Sequence, residues 1–116
     1  MLKVKDKYDY RRELVEALRS GKYKQCKGNY TNKEGALCFY GVFYHINGMD
    51  LKRHHELMTN TDSSDLELEL IEINMFSNRM IELNKKLELF DCDYACLNDV
   101  DRLTFKQLAD RLENEK

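Results

Sequence analysis

The stretch from Ala36 to Ile46 (ALCFYGVFYHI) is apolar on all sides, so it belongs at the centre of whatever fold the chain adopts. Periodicity cannot separate a buried strand from a buried helix here. The stretch is eleven residues long, more than a typical strand, and that favours a helix over about 39–47 stopped by Gly48. Its Tyr, Phe and Val residues pull toward a strand. Residues 36–38 are therefore read as the end of a small hairpin strand. Gly28 and the run Thr31-Asn32-Lys33-Glu34-Gly35 supply turn chemistry just upstream. The expectation is an α+β domain, predominantly α, with a small β-hairpin near residues 23–38.

The remaining segments read as amphipathic helices that would wrap this centre. Tyr10, Leu14, Ala17 and Leu18 share one face of a helix over Asp9 to Ser20, with Asp9 as its N-cap and Gly21 after its last turn. A short helical piece is expected at Leu51 to Met58. Ser64 with Glu67 fits a capping box that opens a long helix over most of 65–90. Leu66, Leu70, Ile73, Met80, Leu83 and Leu87 mark its apolar stripe, although Leu66 to Leu70 also alternate as a strand would. Thr104 with Gln107 forms a second capping box, flanked by Leu103 and Leu108 as a hydrophobic staple, before a terminal helix with Phe105, Leu108, Ala109 and Leu112 on one face.

At 116 residues, 42% hydrophobic and 34% charged, the chain is expected to form a single domain over 1–116 with well-solvated outer faces. No apolar run reaches the ~18–20 residues needed to cross a bilayer. The N-terminus, Met-Leu-Lys-Val-Lys-Asp-Lys, lacks the apolar region of a secretory signal, so a cytoplasmic protein with no membrane partner is expected. The net charge of −2 conceals an asymmetry: residues 1–58 carry +5 and residues 59–116 carry −7. Separate patches would suit a charged partner or a homo-oligomer; a fold that interleaves the halves would cancel them.

The chemistry-bearing residues do not assemble into a known motif. Of Cys26, Cys38, Cys92 and Cys96, only the last two are close, with His45, His54 and His55 as supplements, so reduced core thiols are favoured over zinc. Cys38 lies near a helix start but no His is tied to it by spacing, and packing is the favoured role. His54 and His55 are adjacent and would not share a helical face. No catalytic residue, metal or cofactor is assigned. Lys22, Tyr23, Lys24, Gln25 and Lys27 could engage a small ligand or nucleotide signal, against the simpler reading of a soluble hairpin; direct nucleic-acid binding is disfavoured. Asp62, Asp65, Glu67, Glu69 and Glu72 form an acidic run that could imitate nucleic-acid phosphates toward a basic partner, or simply begin a solvated helix.

Two blocks carry a resemblance. Leu14-Val-Glu-Ala-Leu-Arg-Ser-Gly-Lys-Tyr-Lys-Gln25, followed by Gly28, Tyr30 and Leu37-Cys-Phe-Tyr-Gly-Val-Phe43, resembles the "ALxSGxYxQxxGxL…yCxxGV" pattern of small uncharacterised bacteriophage and prophage proteins. Leu97-Asn-Asp99 with Leu103-Thr-Phe-Lys-Gln-Leu-Ala-Asp110 resembles their "LNDxxxxSFxxIA" ending. Phe39 and Tyr40 stand where that pattern has a second Cys and a Leu, which weighs against a paired-thiol function. The resemblance implies a phage source and no activity. Together with the absence of catalytic signatures, it leads to the expectation of a non-enzymatic binding protein in the host cytoplasm. It would inhibit a host defence protein in the manner of an anti-CRISPR, by blocking a Cas effector. The alternatives are a nucleotide-signal sponge and a small cysteine-dependent or metal-binding protein.

Overall fold

The computed structural model describes residues 5–27, 30–32, 34–59, 66–87, 94–99 and 102–114. The described helices are α1 (Lys7–Arg19), α2 (Phe39–Ile46), α3 (Leu51–Thr59), α4 (Leu66–Leu87), α5 (Tyr94–Asp99) and α6 (Phe105–Glu113). The architecture is predominantly helical, and none of these helices is long and apolar enough to cross a membrane.

The all-round apolar stretch does become the central helix. Phe39, Val42, Phe43 and Tyr44 of α2 are buried in succession, which a helix can do only when it is surrounded. Phe39 stacks on Tyr94 of α5 with ring centroids 4.5 Å apart, and Tyr10 of α1 meets Phe43 edge-on at 6.3 Å. The buried Tyr44 hydroxyl donates to Asn84 Oδ1 of α4 at 3.0 Å. Burial pushes its pKa up, so it stays a neutral donor. Gly48, with φ of 88°, follows the helix as a residue without a Cβ must in that left-handed conformation.

Around α2, the terminal helices pack on one another. Leu14 and Leu18 of α1 and Leu108 and Leu112 of α6 join the same core. The Arg19 guanidinium closes the far end of this pair on Asp110 at 2.6 Å and on Glu113. Arg11 Nε donates to the Leu87 carbonyl at 2.9 Å, placing a cation of α1 on the C-terminus of α4. The Thr104–Gln107 capping box forms as expected, with both reciprocal bonds present.

Two expectations are corrected. Helix α1 starts earlier than Asp9: Asp6 is the N-cap and accepts from Asp9 N, while the Asp9 side chain accepts from Asp6 N, so Asp9 is the third helical residue of a box. The β-hairpin near residues 23–38 does not form among the described residues. Two isolated bridges stand in its place, both on Leu37: a parallel one to Gln25 and an antiparallel one to Thr31. The turn itself is real. Asn32 Oδ1 accepts from Glu34 N at 3.0 Å and Ala36 N at 3.1 Å. Its flanks do not form a hairpin ladder, because residues 24–26 run parallel to Leu37 where a hairpin needs the antiparallel sense.

Candidate functional site

Helix α4 has two halves with different surroundings. Toward its C-terminus, Met80, Leu83 and Leu87 are buried at three- and four-residue spacing, and this half is docked in the core. Toward its N-terminus, apolar residues sit on several sides of the helix, and a single packing contact can cover only one of them. Leu68, Leu70, Ile71 and Met75 are between 52% and 66% exposed. Leu68, Ile71 and Met75 follow one another at intervals of three and four, so they form a continuous stripe on the outer flank. Leu70 was expected in the core stripe and instead lies in solvent.

The inner flank of this half rests on α3. His54 sits edge-on to Phe76 at 5.3 Å and 6.1 Å from Tyr30, and burial together with the neighbouring His55 lowers its pKa. Arg53 Nε donates to Glu72 at 2.8 Å and its Nη1 lies 3.9 Å from Glu56. Glu72, one of the acidic run, is thus tied to α3. Glu67 and Glu69 fall on the first turns of α4, where the helix dipole favours carboxylates. Asp62 and Asp65 lie outside the described residues. The outer flank therefore carries the apolar stripe, with Glu72 turned to α3 instead. The signal for it was present in the sequence, as the Leu-Glu alternation of residues 66–70; in a helix such alternation spreads leucines around the axis.

The basic cluster does not gather into one site. Lys22 and Lys27 are exposed, Lys24 pairs with Glu34 at 3.1 Å, and Tyr23 packs edge-on against His45 at 5.4 Å. Gln25 turns inward. Its Nε2 donates to Asn98 Oδ1 and to the Leu103 carbonyl, both at 2.7 Å, and its Oε1 accepts from Phe105 N at 3.1 Å. It joins the 24–26 segment to α5 and α6.

Cys38 is buried as the N-cap of α2, where its Sγ accepts from Gly41 N at 3.3 Å. Cys26 is half-buried on the strand-like segment paired with Leu37. Cys92 lies outside the described residues, and Cys96 is placed on α5 by its backbone alone. Among the described residues no group of three His, Cys, Asp or Glu side chains converges in a way that could hold a metal ion. Comparison with known proteins gives no matching family model, no matching curated protein and no matching solved structure.

Proposed function

We propose that this protein works by binding another protein, with the N-terminal half of α4 as its docking helix. The observation that carries the reading is the exposed stripe of Leu68, Ile71 and Met75, whose i, i+3, i+7 spacing is that of a helix laid into an apolar groove. The acidic run at the start of this half, Glu67 and Glu69 with Asp62 and Asp65 just before them in the sequence, favours a groove with a basic rim. Grooves that hold nucleic acid have such rims. With the phage source that the sequence resemblance implies, the specific form of the proposal is an inhibitor acting in the host cytoplasm on a defence protein of the Cas effector type.

The test is a titration of the purified protein against Cas effector complexes, paired with interference assays in cells. Ile71→Asp and Met75→Asp place charges on the stripe, away from the core. They are expected to abolish binding while leaving the melting temperature of the free protein unchanged. No binding to any effector, with undiminished interference, overturns the defence-inhibitor form. Binding that survives both substitutions overturns the assignment of the surface.

A further inference from the structure

A cleft on another part of the molecule, independent of the α4 face, lies between the 31–36 turn and the junction of α2 with α3. Its larger lobe has a volume of about 500 Å3, within the range of small-ligand sites. Leu37, Met49 and Leu51 give it an apolar floor, and the edge-on pair of Tyr23 and His45 stands among its lining residues. A second lobe of about 420 Å3 continues past Lys52, and the two share Thr31, Gly35 and Lys52. Gly35 and Gly48 line the larger lobe in left-handed conformations, and nothing stands within 4 Å of where their side chains would begin.

The charges around this cleft are unevenly committed. Asp50 Oδ1 accepts from Arg53 N at 3.1 Å, Glu34 pairs with Lys24 at 3.1 Å, and Glu56 faces Arg53 at 3.9 Å. Glu34 and Asp50 are thus each held by a donor, while Glu56 shares Arg53 with Glu72. Lys52, at the join of the lobes, has no carboxylate partner among the described residues. An apolar floor, an aromatic wall and an uncommitted ammonium group suit a ligand with a flat ring at one end and an anion at the other.

We infer that the cleft binds a nucleoside monophosphate, with its base over Leu37, Met49 and Leu51 against Tyr23 and His45, and its phosphate on Lys52. The side of the cleft formed by the 31–36 turn is held in place before the ligand arrives. Asn32 bonds Glu34 N and Ala36 N, and the Thr31 hydroxyl donates to the Ala36 carbonyl at 2.8 Å.

The test is calorimetric titration of the full chain with AMP, adenosine and inorganic phosphate, with amide chemical shifts to locate the site. AMP is expected to saturate at one per chain, with adenosine and phosphate each at least about tenfold weaker because each leaves half of the site unfilled. Lys52→Ala, on an exposed side chain, should weaken AMP about tenfold, and Lys106→Ala on α6 should leave it unchanged. Tyr23→Ala should weaken AMP and adenosine together without affecting phosphate. Absence of AMP binding at ~1 mM, an unchanged affinity in Lys52→Ala, phosphate binding as tight as AMP, or shifts confined to residues away from 23, 45 and 52 would each overturn the inference. None of these outcomes bears on the α4 face.

Discussion

Gly41 is fixed by distance rather than by its backbone angles. A Cβ there would lie 2.1 Å from the Tyr30 carbonyl oxygen and 3.1 Å from its carbon, and neither atom belongs to a side chain that can swing away. The same carbonyl accepts from Cys38 N at 3.2 Å, so the approach holds the start of α2 against the 30–31 segment. Gly41→Ala must push the two apart. It is expected to cost about 1–3 kcal/mol in chemical denaturation, although alanine is the better helix former. His54 gives a second residue-scale outcome. Its pKa is lowered from the ordinary 6.5, chiefly by burial, so the unfolded chain takes up the proton first as the pH falls. Stability from this group is complete above about pH 6.5, declines as the pH drops through the lowered native value, and levels off below it. Urea midpoints measured between pH 8 and 5 should show this decline, and His54→Gln should flatten it.

At the scale of elements, the amide pair Gln25 and Asn98 determines how the 22–38 segment lies. Asn98 is fully buried, accepts from Gln25 and donates to the Cys26 carbonyl at 2.9 Å. Asn98→Ala removes both of these bonds from a buried site and should cost about 2–4 kcal/mol by denaturant unfolding. This long-range pair holds the 24–26 segment where it runs parallel to Leu37, a direction no hairpin allows. The turn signal of Thr31 to Gly35 is local and was legible, as were the Thr104–Gln107 box and the stops at Gly21 and Gly48. The bonds that draw Gln25 to residues 98, 103 and 105 leave no trace in the neighbouring sequence. The start of α1 differs for a simpler reason: aspartates stand at both ends of its capping box, and in sequence either one fits the cap. The two flanks of α4 should also separate cleanly. Leu83→Ala on the buried side is expected to lose about 2–5 kcal/mol, whereas Ile71→Asp should stay within ~0.5 kcal/mol.

Over the whole molecule, the fold answers the question raised by the opposed charges of the two halves of the sequence. Arg19 meets Asp110 and Glu113, and Arg53 meets Glu72, so basic groups of the first half sit against acidic groups of the second in two separate places. The halves interlock there, and the separated patches that the sequence permitted are partly cancelled. The radius of gyration, 15.0 Å, exceeds the ~13 Å of a tightly packed chain of this length, and the extents of 47 × 39 × 26 Å show the elongation. A helix of 22 residues spans ~33 Å, so α4 is long for such a body.

The three bonds of Gln25 also set an order of events during synthesis. Its side chain waits for Phe105, which follows 80 residues later, and Arg19 waits for Asp110, 91 residues later. At ribosomal rates of ~5–20 residues per second, α1 and the Gln25 segment spend roughly 4–16 s without the helices that close over them. Chains released before Phe105 should therefore be cleaved throughout by a protease, and the complete chain should gain resistance in a single late step.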